Sequence, residues 1–191
     1  MKKKQTDMMM AGRLLLATPA MTDARFAQAV ILMCEHTAFG AMGLMVNKVI
    51  DDLTFSELLR HTDINVQGMA PDYPIYFGGP VETQRGFVLH SPEWQQPETM
   101  IISPIFSLTG TGKVLQDMVA GQGPQQALLA LGYAGWVSGQ LEQEMQTNSW
   151  LVAEATPELI FETPHDQKWP RALASLGISH AFSFSTEAGR A

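Results

Sequence analysis

VILMCEHTAFGAMGLMVNKV, residues 30–49, holds two apolar runs around a short connection, residues 37–41, that contains Gly40. The first run, 30–36, is apolar on both faces until Glu35 and His36. The second, 42–49, is rich in strand-compatible residues. Two such runs joined by a few glycine-containing residues predict an antiparallel hairpin. In that hairpin His36 falls near Met42, while Asn47 and Lys48 fall at the other end beside Val30. Glu35-His36 and Asn47-Lys48 are therefore not expected to share a site within it.

Outward from this stretch, RLLLA at 13–17 reads as a short strand closed by Thr18-Pro19. Residues 23–29 suit one or two helical turns. Leu53 and Leu58 flank a capping-box signature, Thr54 with Glu57, that predicts a helix over 55–60. PIYFG at 74–78 and GFVLHS at 86–91 surround Gly79-Pro80 and predict a second hairpin. Residues 100–108 carry Pro104, so they form an edge, a bulge or two pieces. A helix is expected over 113–120, stopped by Gly121.

ALLALGYAGW, 127–136, is apolar on both faces and carries two glycines. It reads as a buried central strand rather than a helix. Helix 140–146 and strand 150–155 follow. Helical starts are then expected at Thr156-Pro157 and Thr163-Pro164, with a kink or restart at Pro170. Residues 1–11 are expected to be a flexible tail, and 12–191 a single domain, since no repeat or low-complexity linker divides the chain.

The 191 residues carry a formal net charge of −7, with 46% hydrophobic residues. That size can bury roughly 70% of the unfolded surface. The acidic balance repels phosphate backbones at long range and disfavours direct DNA binding. Lys2-Lys3-Lys4 is the one basic run. A signal-peptide reading of it fails because Asp7 and Arg13 interrupt the following apolar stretch. No segment reaches the roughly 20 apolar residues of a membrane helix. The single cysteine, Cys34, fits a reducing compartment, so a cytoplasmic location and no membrane partner are expected.

Residues 30–49, 77–90 (FGGPVETQRGFVLH) and 129–150 (LALGYAGWVSGQLEQEMQTNSW) resemble the bacterial AlgH/YqgE family. Leu159-Ile160-Phe161 and the segment from Trp169 to the C-terminal Ala188-Gly189-Arg190-Ala191 continue the likeness. It covers nearly all the chain from about Arg13 onward. The resemblance implies an α+β domain around a mixed, barrel-like sheet, here two hairpins plus further strands flanked by several short helices. Members are often labelled transcriptional regulators, and no catalytic motif carries over residue by residue. The chain departs from the family pattern at Gly110-Thr111-Gly112-Lys113 and at Pro170.

Two motifs fail on named residues. A phosphate-binding loop needs glycine five residues before Gly112, where Ser107 stands, and Ser or Thr after Lys113, where Val114 stands. A nucleophile elbow around Ser138 is out of register, so Ser138 is read as a helix cap.

Three constellations remain. Cys34 and His36, two apart on a strand, are expected to share a face with Glu35 on the other; that spacing suits a thiolate–imidazolium pair. Gly78-Gly79-Pro80 with Arg85 could admit a ligand to the backbone and hold an anion. His90, well inside a strand, is read as a satisfied core histidine. Candidate ligand or partner contacts are thus Glu35, His36, Gly78, Gly79, Pro80 and Arg85, with Cys34 as a reactive-thiol candidate. No metal ligand set, cofactor or catalytic group is assigned. The expected class is a non-enzymatic binding or regulatory domain acting through a protein or small molecule. The rivals are a Cys34/His36 hydrolase or redox enzyme and a metal-binding protein.

Overall fold

The computed structural model describes residues 10–62, 64, 72–110 and 112–178. Its spine is the strand predicted to be central, β8 (Ala127–Val137). Along one edge β8 pairs antiparallel with β5 (Val81–His90). Along the other it changes partner. Leu129, Ala130 and Leu131 run parallel to β4 (Ile75–Phe77). Residues 134–137 pair antiparallel with β3 (Gly40–Met45). The sheet continues through β2 (Val30–Thr37) and β1 (Arg13–Ala17) to β9 (Trp150–Glu154) on one side. On the other side it continues through β7 (Phe106–Gly110) to β6 (Met100–Ser103).

The α+β class and the mixed sheet hold, but the barrel does not close. Among the described residues strands β6 and β9 end the sheet, and no ladder joins them. The backbone at Gly12 nevertheless comes close enough to Ser103 that a Cβ there would lie 3.1 Å from the serine Cβ. The sheet is therefore strongly curled, with β6 near the start of β1.

The second predicted hairpin is corrected. Strands β4 and β5 do not pair, because β8 lies between them. The chain crosses β8 within Gly78-Gly79-Pro80. Two strand spacings are about 9.6 Å, which an extended step of a few residues spans. The crossing is so tight that side chains are excluded on both layers. A Cβ on Gly78 would sit 2.2 Å from the Gly132 carbonyl oxygen, and one on Gly132 would sit 2.4 Å from that of Gly79. Gly132 also has φ +73° and Gly79 φ +152°, conformations that L side chains rarely adopt. Backbone bonds complete the joint: Gly78 N–H donates to Leu131 O, and Met45 N–H donates to Gly78 O, each at 2.8 Å.

The helices follow the sequence signals. In α1 (Phe55–Arg60) both halves of the Thr54/Glu57 capping box form. The 100–108 segment is two pieces, with Pro104 in the turn between β6 and β7. Helices α2 (Lys113–Val119) and α3 (Gln140–Gln146) match expectation. Glu144 Oε2 on α3 accepts from the indole N–H of both Trp136 and Trp150 at 2.8 Å, tying the helix to β8 and β9. A 3-10 turn at Ala24–Phe26 and a π-helical turn at Glu158–Glu162 are the short extras. Helix α4 (His165–Ser175) runs through Pro170 without a break, which corrects the expected restart. Proline there removes one backbone donor, and the helix is held by its burial instead.

That burial centres on Lys168, only 1% exposed. Its Nζ donates to Val46 O at 2.8 Å and to Ile160 O at 2.7 Å, and lies 4.8 Å from the Tyr76 ring centre. Burial pulls its pKa down to about 8. The tail expected at 1–11 falls largely outside the described residues.

Two stability measurements follow. Gly132→Ala should lose about 3 kcal/mol or more in urea unfolding, from the left-handed strain plus the overlap with Gly79. Gly121→Ala, at φ +71° with nothing within 4 Å of its Cβ position, should lose only about 1–2 kcal/mol. Equal losses would show that the crossing is not under steric constraint. For Lys168, the unfolded chain keeps a proton between about pH 8 and the usual 10.5 that the folded chain has released. Stability relative to Lys168→Met should therefore rise by roughly 3 kcal/mol from pH 7.5 to 10.5, read as the difference between the two unfolding curves.

Candidate functional site

Strand β2 carries a bulge that reorganises its chemistry. Met33 pairs with Gly43, but Glu35 already pairs with Met42, so Cys34 is an extra residue. A bulge of this kind reverses the in–out alternation beyond it. Cys34 packs beside Leu32 and Leu44 in the main core and is 3% exposed. Glu35 then faces the same side as Met42, and His36 turns to the opposite side. There its Nε2 lies 2.8 Å from Glu142 Oε1 of α3, with the ring 97% covered and Nδ1 buried without a partner among the described residues. The expected Cys34/His36 pair on one face is thus overturned by a single inserted residue. Burial also pushes the Cys34 thiol up to about 12, and its S–H donates to Leu32 O at 3.6 Å. The predicted separation of Asn47 from His36 holds, since Asn47 Oδ1 accepts from Val30 N–H at 2.8 Å.

The Gly78-Gly79-Pro80 backbone is occupied by the protein itself. The room that the glycines provide is filled by β8, which removes the expected ligand approach there. Arg85 is different. Strand β5 bulges widely where Val81 faces Tyr133 and Gly86 faces Leu131. Arg85 lies in that bulge, exposed, paired with Glu82 at 2.9 Å, its guanidinium carbon 5.0 Å from the Phe87 ring centre.

Glu35 and Arg85 meet in one open cleft of about 620 Å³ at the mouth of the curled sheet. The β2–β3 turn forms one wall. Glu98, Met100, Leu108 and Gly110 form the facing wall, and Val81, Phe87 and Tyr133 line the space between. The Phe87 and Tyr133 rings meet edge-to-face at 6.0 Å. Phe39, 91% exposed, and Val137, 73% exposed, stand at the rim.

The turn that presents Phe39 is fastened. Thr37 Oγ1 accepts from Phe39 N–H at 3.2 Å and donates to Gly40 O at 3.3 Å. Ser138 Oγ donates to Ala38 O at 2.7 Å. Ser138 is therefore a strap between two turns rather than the cap of α3, whose N-cap is Gly139 with φ +78°.

Other candidates resolve as structural. Lys113 pairs with Asp117, and Gly110 is a rim residue of the cleft, while Thr111 lies outside the described residues. His90 is fully buried, with Nδ1 2.8 Å from Ser91 O and Nε2 2.9 Å from Thr109 Oγ1. Burial holds its pKa below the ordinary histidine value. Among the described residues no group of three His, Cys, Asp or Glu is placed to hold a metal ion, and no helix is long and apolar enough to cross a membrane.

Sequence reasoning missed Phe39, Tyr133, Val137 and Glu98. One signal was available: a phenylalanine at a hairpin turn, where glycine, asparagine or aspartate is usual. Glu98 carried none, since its place in the cleft depends on the β5–β7 pairing.

One curled α+β sheet with a cleft at its open mouth defines the class of protein. A family model described as DUF179, AlgH-like, matches residues 14–181, and the chain belongs to that family. It is 49% identical over 184 residues to a UPF0301 protein of Jannaschia sp. strain CCS1, covering 95% of each chain. It is 44% identical over 182 residues to one from Caulobacter vibrioides, covering 94% of this chain and 93% of the other. The solution structure of AlgH from Pseudomonas aeruginosa matches over the full length of both chains at TM-score 0.78 and 36% identity. A Corynebacterium diphtheriae protein, DIP2367, shares the fold at TM-score 0.70 and 21% identity, over 91% of this chain and 88% of that one.

The buried, protonated thiol makes a direct expectation. Cys34 should react with iodoacetamide at pH 8 at least about 100-fold more slowly in the folded protein than in urea, because only exposed thiolate attacks. Equal rates, followed by mass spectrometry, would restore a reactive-thiol role.

Proposed function

We propose that this chain is a non-enzymatic binding or regulatory domain whose working surface is the cleft at the sheet mouth. The observation that carries the reading is Phe39. A large ring with 91% of its surface exposed, held in place by a hydrogen-bonded turn over an apolar cleft, has no role in the core. Exposed apolar surface of this kind marks an interaction site, and a concave apolar floor with a few charged groups is the usual form of one. Cys34 and His36 support no paired chemistry, since they lie on opposite faces of the sheet and the thiol is buried.

The family label of transcriptional regulator fits an indirect role in this reading. A chain with net charge −7 is poorly suited to neutralise DNA phosphates, which supply most non-specific affinity. The partner is then a protein or small molecule in the cytoplasm, and any effect on transcription passes through it.

Site-specific photocrosslinking tests this. A benzophenone side chain at position 39 or 137, expressed in the native bacterium, should yield a discrete adduct. The same group at exposed Asp166 on α4 should not. Adducts of equal yield and identity from 166, or none from 39 and 137, would remove the cleft from consideration.

A further inference from the structure

The charges around the cleft are unbalanced. Glu35 stands on the wall made by the β2–β3 turn and Glu98 on the facing wall. Both are exposed, and among the described residues neither carboxylate has an ion-pair or hydrogen-bond partner. Arg85, the cation of the cleft, is already neutralised by Glu82 at 2.9 Å and lies against Phe87. The open charge facing a visitor is therefore negative, within a chain whose net charge is −7.

The apolar surface and the backbone point to the visitor's shape. Beside the cleft, β6 ends the sheet. Met100 and Ile101 on it, and Ile105 in the following turn, are exposed large hydrophobics. A strand edge of this kind, uncharged and paired with no further strand among the described residues, though approached by Gly12 at Ser103, is a template for a further strand. Addition of an extended peptide to such an edge is a common recognition mode, with main-chain bonds for affinity and side-chain pockets for choice.

Resting on the cleft reading above, we infer that the occupant is an extended segment of a partner protein, carrying lysine or arginine next to a large apolar residue. The backbone pairs along β6. The cationic groups meet Glu35 and Glu98, and the apolar side chain enters between Phe39, Met42 and Tyr133. Electrostatic complementarity of this sort sets partner choice more than total affinity, so peptides that differ only in charge discriminate best.

The test titrates isotope-labelled full-length protein with three synthetic peptides, Lys-Val-Phe-Val-Lys, Ser-Val-Phe-Val-Ser and Glu-Val-Phe-Val-Glu, and follows amide NMR shifts. The lysine peptide should shift the amides of 35–42 and 100–103 and bind about tenfold or more tightly than the glutamate peptide. A Glu35→Gln/Glu98→Gln double variant should weaken it about fivefold, as should raising salt from about 50 to 500 mM. The circular dichroism melt of that variant should match wild type, because both side chains are exposed. If the glutamate peptide binds equally or better, the basic-partner inference is overturned while the cleft reading survives. If cleft amides shift on raising protein concentration alone, a second copy is the occupant and the inference likewise fails. If no peptide shifts any cleft amide and photocrosslinking at 39 is also silent, both readings fall.

Discussion

The crossing of residues 78–80 over β8 is the constraint from which the rest of the architecture follows. Strand β8 serves two sets of partners, and its second edge is shared between β4 and β3. That division is possible only where the ladder is interrupted, at Gly132. There the Gly78-Gly79 backbone lies directly on β8, and three residues without side chains meet. The gain is topological. A parallel strand normally needs a long crossover connection to return to its sheet. Here residues 78–126 make that long connection between the parallel pair β4 and β8, and its first step of three residues carries the chain across β8 to β5 on the far edge. The same displacement forces the wide bulge of β5 at 82–85, because Val81 and Gly86 must still meet Tyr133 and Leu131. Arg85 owes its position over the cleft to that bulge, so a steric demand in the core sets the chemistry at the surface.

The second determinant is smaller, a single residue. Without the extra residue at Cys34, strand alternation would place Cys34 and His36 together and Glu35 apart. With it, Glu35 joins Met42 in the cleft, while His36 turns to α3 and binds Glu142. Cys34 takes the buried place and is held protonated by its surroundings. Bulges bend a strand and increase its local twist. This one lies just before the turn that carries Phe39.

Local signals were legible and relational ones were not. The capping box at Thr54, the central strand at 127–137 and the helix at 140–146 could be read because each is written in adjacent residues. The hairpin at 30–49 was readable in outline. Its register was not, since a bulge leaves no mark in a run as uniformly apolar as VILMC. The glycines at 78–79 were recognised as special, but a glycine that admits a ligand and one that admits another strand look alike in sequence. What distinguished them was Gly132, more than fifty residues away. Pro170 misled for a related reason: the missing backbone donor is a local cost, while the buried Lys168 that anchors α4 bonds to carbonyls of Val46 and Ile160. Of the site residues, Glu35 and Arg85 were found from their own neighbourhoods, and the cleft that joins them was not.

The failure of the sheet to close gives those two residues a shared setting. A closed barrel would remove its edges and bury the rim. Here β6 approaches β1 at Ser103 and Gly12 without pairing, and its outer edge remains at the end of the sheet. Three of the exposed large apolar residues, Phe39, Met100 and Val137, line the cleft on this unclosed side. Folding alone gives no return for apolar groups held in water, since the hydrophobic gain comes only with burial. Nor does it account for the three hydrogen bonds around Thr37 and Ser138 that keep Phe39 presented. A turn that needed only to reverse the chain could have been built from glycine and asparagine. An apolar ring on a hydrogen-bonded turn, next to a terminal strand and two carboxylates unpaired among the described residues, is the arrangement that the proposed role, occupation of the mouth of the sheet by a partner, would use.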